Sequence, residues 1–512
     1  MTARLSVLLS LCCGLAFAQM DSITGTVTNS VDSSPIAGAV VTLGGPNGSQ
    51  AVLTDAGGKF TFGVVPAGGY TLSATRNGYP ISNMQRPLTA YVNVVVPGKA
   101  DPVILQLTPG AKLTGSVTDE AGFPLPNASV ELIHREVSGG RGRLVVMTQT
   151  GANDLGEFRT TSLAADRYLV CVNAYASSYQ RHHGLTYPTT CFPGVTDPSA
   201  AQWVNLGPGE ERKVAFHLAP VPGVRISGSV ANAGKGTFVS IRRTDPPGFP
   251  QMSGQFVAWD EKTSTFEILA VSPGDYLITA NQYGAGGQNL RAMRAIHVGT
   301  EDIRDVNLTM RDGPYLAGTV RMGDAPSPPQ NQVYVGIVID KLVRIQANAS
   351  GSFKQAITEP GDYSVAVAPL PGWSLQAITQ GGVDIRDRKL AIGANADPEP
   401  IEIVLGHGGG TIEVSFQSDS TNGKTPLTLT LLRRLATESE WALEGQPVFA
   451  VGSSIMRNIP PGDYSIFAWP GANQQIEYLS PAVLEKYRSF GQSVSVRESE
   501  TTRVTVTPVP IE

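Results

Sequence analysis

The chain has few of the residues that build most reaction centres, and it has no excess of positive charge. Only 16% of its 512 residues are charged, and it holds 6 histidines, 5 tryptophans and 4 cysteines. The net charge of −5 argues against nucleic acid as a partner, because such binding needs a concentrated basic face. After residue 20, no stretch reaches the roughly 20 apolar residues of a membrane span. We therefore expect neither a nucleic-acid partner nor a transmembrane segment.

The common catalytic motifs are also missing. The sequence contains neither a Gly-x-Ser-x-Gly nucleophile elbow nor a glycine-rich phosphate loop ending in lysine. A zinc peptidase would need two histidines and a carboxylate at defined spacing, but the histidines are scattered. His182 and His183 are adjacent, and in an extended segment they would point to opposite sides, which does not suit a shared metal. We therefore expect no enzymatic activity, no cofactor and no metal site.

The N-terminal residues have the pattern of an export signal. Arg4 supplies the positive charge, Leu5–Phe17 is a short apolar core, and Ala16–Ala18 offers the small residues that signal peptidase requires. The pattern predicts removal of residues 1–18, with cleavage before Gln19. The protein is then expected in the periplasm, at the cell surface or outside the cell.

Glycine and proline are abundant, at 56 and 37 residues, which favours short strands joined by turns. Five times, a tyrosine follows a run of turn residues and opens a strand: Tyr70, Tyr168, Tyr276, Tyr363 and Tyr464. The spacing of about 100 residues is the length of a small sandwich domain. The repeated tyrosine predicts a corner in which the ring is buried and the hydroxyl bonds the backbone.

Each repeat also opens on a strand with one apolar face, because apolar residues alternate with small or hydroxylated ones. Four of these strands carry a glycine between two inward positions: Gly25, Gly115, Gly228 and Gly318. We interpret this glycine as making room for an aromatic ring across the core. The predicted fold class is all-β, a tandem array of about five Ig-like or prealbumin-like β-sandwich domains at residues 22–109, 112–221, 225–312, 314–407 and 410–512. Ser480 and Pro481 predict the start of a short helix in the last domain.

Several short sequence motifs of the first two repeats resemble those of the carboxypeptidase regulatory-like domain. The motifs are Gly25–Val27, Pro35–Val41, Thr54–Phe60 and Pro66–Tyr70. In the second repeat, Pro124–Val130 repeats the motif of Pro35–Val41. The resemblance implies a transthyretin-like sandwich, grouped with carbohydrate-binding-like and collagen-adhesin B-type folds, in a multi-repeat exported bacterial protein. It specifies function poorly, since the same domain occurs beside peptidases, in transporters and in surface proteins.

Cys171 and Cys191 are the two cysteines that follow the export signal. In an oxidising compartment, a pair about 20 residues apart favours a disulfide. Two separate thiols are the alternative. A zinc site is not indicated, because it would need two close pairs of ligands.

The second repeat contains a long insertion that is rich in aromatic residues. Such rings could offer stacking faces for sugars, so the insertion is the candidate ligand-binding surface. The alternative is a loop that buries its own rings. The candidate residues are Tyr175, Tyr179, His182, His183, Tyr187, Phe192 and Trp203.

Two functions agree with these observations. The first is an exported, non-enzymatic binding or adhesion array, for which the resemblance suggests polysaccharide as a ligand. The second is a structural spacer or accessory subunit of a cell-envelope complex, with another envelope protein as its partner.

Overall fold

A computed structural model describes most of the chain between residues 21 and 510. The segments outside the described part are 1–20, 47, 81, 84–85, 88–90, 97–101, 139, 175, 177, 247–248, 251–255, 284–288, 324–333, 339–341, 349, 358–359, 368–372, 387, 394–395, 418–426, 435–440, 444–446, 451, 471–475 and 511–512. The predicted export signal lies outside the described residues.

The described residues of the first repeat form nine strands. They are β1 (Asp21–Asn29), β2 (Val40–Gly45), β3 (Gly48–Leu53), β4 (Lys59–Val65), β5 (Gly68–Thr75), β6 (Ser82–Asn83), β7 (Arg86–Pro87), β8 (Tyr91–Val96) and β9 (Val103–Leu107). One sheet has the order β4-β1-β9, another has the order β3-β2-β5-β8, and β6 pairs with β7. Apolar side chains of the two larger sheets, among them Ile23, Phe60 and Leu72, form one core.

In the second repeat, the residues that the structure describes form ten strands, the helix α1 (Ser178–His182) and a 3-10 helix (Pro198–Ala200). The strands are β10 (Ala111–Asp119), β11 (Ser129–Ser138), β12 (Arg141–Gly151), β13 (Glu157–Leu163), β14 (Asp166–Asn173), β15 (Leu185–Thr186), β16 (Thr190–Cys191), β17 (Val204–Leu206), β18 (Glu211–Leu218) and β19 (Val221–Pro222). One sheet has the order β13-β10-β18 and another the order β12-β11-β14-β16, with β17 also on β14.

Outside its undescribed segments, the third repeat forms eight strands in two sheets. They are β20 (Val224–Ala231), β21 (Thr237–Arg243), β22 (Val257–Asp260), β23 (Thr265–Val271), β24 (Gly274–Tyr283), β25 (Asn289–Val298), β26 (Ile303–Thr309) and β27 (Arg311–Asp312). The sheet orders are β22-β23-β20-β26 and β21-β24-β25-β27. Ile226, Phe266 and Tyr276 belong to the core between these sheets.

The fourth repeat also forms two sheets. Its strands are β28 (Tyr315–Met322), β29 (Tyr334–Val338), β30 (Leu342–Gln346), β31 (Ser352–Ala356), β32 (Gly361–Val367), β33 (Ser374–Gln380), β34 (Val383–Asp384), β35 (Leu390–Ile392) and β36 (Ile401–Gly406). The orders are β31-β28-β36-β33-β34 and β30-β29-β32-β35.

The fifth repeat ends the described chain. It contains β37 (Gly410–Phe416), β38 (Leu427–Arg434), β39 (Trp441–Leu443), β40 (Val448–Ala450), β41 (Ser453–Ile459), β42 (Gly462–Pro470), α2 (Pro481–Tyr487), a 3-10 helix (Arg488–Phe490), β43 (Gln492–Val496) and β44 (Thr501–Val506). Its sheets are β41-β37-β44 and β39-β38-β42-β43, with β40 on β38. The predicted helix is present as α2, but the Ser480 side chain makes no capping hydrogen bond. A second small core around Trp469 packs Leu484 of α2.

The chain divides into two compact units. One contains the residues up to 116 with 157–168 and 204–215, and the other contains 117–156, 169–203 and everything from 216 onward. This division passes through the second repeat, so the domain boundaries given above stay a prediction. Of the helices in the described part, none has the length and apolar character that crossing a membrane requires.

The same local topology recurs along the chain, and the fold is an all-β tandem domain array. In the first repeat, the opening strand β1 pairs antiparallel with β4 and parallel with β9. The third, fourth and fifth repeats copy this mixed arrangement at β20, β28 and β37. The opening strand is therefore central in its sheet, where every side chain must fit two neighbouring strands.

The recurring glycine makes room for a phenylalanine, which comes from the neighbouring strand and not from across the core. A Cβ atom on Gly25 would lie 2.5 Å from the Phe60 ring and 2.2 Å from the carbonyl oxygen of Val103. Gly25 and Phe60 are direct cross-strand partners, so the ring lies over the bare backbone. The equivalent pairs are Gly115 with Phe158, Gly228 with Phe266 and Gly318 with Phe353.

The fifth repeat replaces both members of this pair. Val414 occupies the glycine position of β37, and its cross-strand partner on β41 is Ser454. Val414 is larger than the glycine that it replaces, and Ser454 is smaller than the phenylalanine that it replaces. The fifth repeat therefore keeps the topology without the glycine–phenylalanine signature.

The predicted tyrosine corner, with a buried ring and a hydroxyl bonded to the backbone, is confirmed at Tyr70, Tyr168 and Tyr464. The ring is buried in each repeat, and in three of them the hydroxyl donates to the carbonyl oxygen of the residue four positions earlier. The pairs are Tyr70 to Pro66 at 3.0 Å, Tyr168 to Ala164 at 2.9 Å and Tyr464 to Pro460 at 2.7 Å. In the third repeat, the Tyr276 hydroxyl instead contacts the Ser272 hydroxyl at 3.0 Å.

Substituting Tyr464 by phenylalanine should destabilise the fifth repeat by roughly 1–2 kcal/mol, because the buried Pro460 carbonyl loses its donor. Urea denaturation with hydrogen exchange over 410–506 measures this change. Tyr487→Phe in α2 is the control, since its hydroxyl makes no hydrogen bond to other described residues. Equal effects of the two substitutions would contradict a role for the corner hydrogen bond.

Candidate functional site

The insertion of the second repeat follows β14 and contains α1, β15, β16 and the 3-10 helix. His182 ends α1, and both His182 and His183 are exposed. Tyr187 is buried, with 7% of its surface exposed. Tyr175 lies outside the described residues, and for Tyr179 only the backbone position within α1 is described. The candidate residues whose side chains are described thus differ widely in exposure.

A disulfide ties the insertion to β14. Cys171 and Cys191 are direct cross-strand partners, their sulfur atoms are bonded, and their Cα atoms lie 3.9 Å apart. Both are fully buried in a cluster with Ile133 and Leu169. Because β16 is only two residues long and makes few backbone pairs with β14, the disulfide adds a covalent link between the insertion and the sheet.

The other aromatic candidates pack against the protein. The Phe192 ring meets the Phe216 ring edge-on, with 6.5 Å between centroids. Trp203 is half-buried and packs on the apolar cluster around the disulfide. These contacts agree with an insertion that buries its own rings, and binding of a ligand by the candidate residues stays a prediction.

The insertion also contacts the third repeat. Its strand β15 pairs with β19 in the connection to that repeat, and the Gly223 N–H donates to the Gly184 carbonyl at 2.7 Å. Tyr187 lines the same cavity as Ile241 and Tyr276 of the third repeat. The insertion therefore lies at the junction of two repeats.

The cavity at this junction is small. Its volume is about 110 Å³, whereas ligand pockets usually measure roughly 300–1,000 Å³. In its wall, the Arg243 guanidinium makes two hydrogen bonds of 2.8 Å to Asp245, which holds the pKa of that carboxyl below its usual range. Asp245 also accepts from the Asp275 N–H at 2.9 Å. Arg181 donates to the Ala176 carbonyl of the insertion itself.

The charged groups in the cavity wall, Arg181, Arg243 and Asp245, hold loops in place through these hydrogen bonds. The Asn173 amide oxygen accepts from the Thr189 hydroxyl, which fixes one edge of the insertion, while its amide nitrogen has no hydrogen-bond partner. Within the described ranges, no group of three or more histidine, cysteine, aspartate or glutamate side chains could hold a metal ion. The contacts of the insertion are suited to joining the second and third repeats. These contacts could not be predicted from the sequence, because a sequence does not show how far an insertion lies from the next domain.

Comparison with known proteins identifies one domain type. Residues 22–97 match the family model described as the carboxypeptidase regulatory-like domain, which confirms the resemblance for the first repeat. No curated protein matches the chain.

Several solved structures are similar to parts of the chain. The shaft pilin SpaA of Lactobacillus rhamnosus GG is 14% identical and matches 40% of this chain and 98% of its own, with a TM-score of 0.22. The minor pilin GBS52 of Streptococcus agalactiae is 14% identical over 39% of this chain and 96% of its own, with a TM-score of 0.24. The Bacillus anthracis TIE protein is 13% identical over 76% of this chain and 74% of its own, with a TM-score of 0.18.

Proposed function

We propose that the chain is an exported, non-catalytic scaffold of tandem β-sandwich domains that acts as a structural or accessory component of the cell envelope. The observation that carries this proposal is the packing of the insertion at the junction of the second and third repeats. Tyr187 is buried there, and β15 pairs with the connecting strand β19. A segment used to join domains holds them in a defined arrangement, which is what a spacer requires.

The junctions between repeats support the same function. At three of them, a glycine packs on the backbone of a residue with a positive φ of 56° to 59°, at a β-bulge. An added Cβ would approach that backbone to 2.6–2.7 Å, so the connecting segment lies close against a strand of the repeat that follows it. The pairs are Gly110 with Ser162, Gly223 with Ala270 and Gly409 with Asn458.

Polysaccharide binding is the second candidate. It is favoured by the partial exposure of Phe192 and Trp203, which belong to the same insertion as the exposed His182 and His183. Aromatic side chains of this kind can stack on sugar rings. In that case the array would act in adhesion, with an extracellular glycan as its partner.

One pair of variants separates the two functions. Tyr187→Ala should loosen the junction of the second and third repeats, and His182→Ala with His183→Ala is the matched change at exposed positions of the same insertion. For a scaffold, we expect a larger radius of gyration by small-angle X-ray scattering and faster hydrogen exchange at 184–187 in Tyr187→Ala alone. We also expect no retention of the wild type on polysaccharide columns.

Retention on a polysaccharide that is lost in the histidine variant would contradict the scaffold function and support adhesion. Unchanged scattering and exchange in Tyr187→Ala would show that the insertion does not hold the junction.

A further inference from the structure

The β11–β12 hairpin reaches a segment far away in the sequence. Ten residue pairs join its strands, from Ser129 with Gly151 to Ser138 with Arg141. At its tip it meets Glu477, Tyr478 and Leu479 of the fifth repeat. All of these residues lie within one compact unit. The contact joins the second and fifth repeats, which are not neighbours in the chain.

Polar contacts of two kinds form this junction. The Arg135 guanidinium makes a two-pronged ion pair with the Glu477 carboxylate, in which Nη2 lies 2.6 Å from Oε2 and Nε also donates to Oε1. The Leu479 N–H donates to the Gly140 carbonyl oxygen at 2.8 Å. A bidentate pair of this geometry sets both distance and orientation, because two parallel hydrogen bonds must align.

Two glycines shape the hairpin tip to accept this segment. A Cβ on Gly140 would lie 2.2 Å from the Tyr478 ring, and a Cβ on Gly142 would lie 2.3 Å from the Glu477 carboxyl carbon. Gly140 also has a φ of +78°, which favours glycine. Because these two glycines have no side chain, Glu477–Leu479 can approach closely enough for the Leu479 N–H to donate to the Gly140 carbonyl oxygen.

The partner segment is held rigidly on its other side. Tyr478 is 6% exposed and stacks on Trp469, with ring centroids 6.2 Å apart. Burial raises the pKa of Tyr478 to about 12. The hairpin is held too, because Arg143 pairs with Glu136 at 2.6 Å across its strands. Two preformed surfaces therefore meet, which keeps the ordering cost of the contact low.

We propose that the hairpin tip is a recognition surface for the Glu477–Leu479 segment and acts as a salt-sensitive clasp between the second and fifth repeats. Gly140 and Gly142 leave room for the Tyr478 ring and the main chain of the segment. Arg135 pairs with the Glu477 carboxylate. The Arg135 side chain is 41% exposed and the Glu477 side chain 18% exposed, so dissolved ions reach one side of the pair. High salt weakens the clasp without unfolding the sandwiches, whose cores are apolar.

Hydrogen exchange of the full chain, read by mass spectrometry, tests the clasp at the Leu479 amide. Gly142→Ala displaces the Glu477 carboxylate, and Gly151→Ala is the matched control in the same strand, because nothing lies within 4 Å of its added Cβ. We expect exchange at Leu479 to be about tenfold faster in Gly142→Ala and in Arg135→Gln. The wild type in about 1 M salt should change in the same direction, and Gly151→Ala should match the wild type.

Two results would overturn the proposal. Equal protection of Leu479 in Gly142→Ala, Arg135→Gln and the wild type would show that the tip does not hold the segment. Protection that rises with protein concentration would place the contact between copies of the chain. Thermal unfolding of each variant shows whether that variant still folds. If Gly142→Ala does not fold, the exchange rate of the Leu479 amide in Arg135→Gln, which changes an exposed side chain, decides the test.

Discussion

Substituting Gly228 by alanine is expected to destabilise the third repeat by about 3 kcal/mol, because the central strand cannot take a side chain there. The new Cβ would lie 2.1 Å from the carbonyl oxygen of Val306 and 2.7 Å from the Phe266 ring. The carbonyl belongs to a paired strand on one side and the ring to a paired strand on the other. Relief therefore requires a shift of the sheet itself, and urea denaturation with hydrogen exchange over 224–309 measures the loss.

Gly299→Ala is the control for this prediction, since it lies in the same repeat and an added Cβ meets nothing within 4 Å. A loss below about 0.5 kcal/mol for Gly228→Ala, or one equal to that of the control, would contradict the packing argument. The pair Val414 and Ser454 of the fifth repeat suggests a rescue. Gly228→Val with Phe266→Ser should be more stable than Gly228→Val alone, because the smaller partner vacates space for the valine.

Removing the disulfide with Cys171→Ser and Cys191→Ser is expected to cost about 3 kcal/mol, from the entropy of a loop of 20 residues in the unfolded chain. Two hydroxyls would also replace buried sulfur atoms in the apolar cluster with Ile133 and Leu169. Thermal unfolding compared with that of the wild type under a reducing agent measures the effect. Reduction of the wild type should reproduce most of the loss.

Alkylation of the unfolded protein without a reducing agent separates the bond from two free thiols. We expect no labelling of Cys171 or Cys191 until the protein is reduced. Labelling of both cysteines in the unreduced protein would refute the disulfide, and the stability loss on substitution would then reflect packing alone.

The repeat architecture could be predicted because its signals are local. A strand with one buried face alternates over a few residues, and a corner needs a turn followed by a tyrosine, as at Pro66 and Tyr70. The glycine at Gly25 could be recognised as a packing residue for the same reason. Its partner was assigned to the wrong place, since Phe60 lies on the adjacent strand, and the pairing of β1 with β4 is a long-range property.

The candidate site could be predicted only as a set of residues. The aromatic side chains of the insertion were identified from composition, but their exposure depends on what packs over them. Tyr187 is buried at the junction with the third repeat, whereas His182, five positions earlier, is exposed. The sequence does not reveal this difference, because Tyr187 lines a cavity that residues of the third repeat help to form.

The amino-acid sequence by itself determined the all-β class, the tandem arrangement, the buried corner tyrosines and the strand that opens each repeat, because each depends on neighbours within a few positions. Only the tertiary structure decided which residues meet across repeats: the insertion against the third repeat, and the hairpin tip at Gly140 and Gly142 against Glu477 and Tyr478. The physical reason is that such contacts form when two finished surfaces fit in shape and charge. That fit depends on how the repeats are placed in space, which no local pattern encodes.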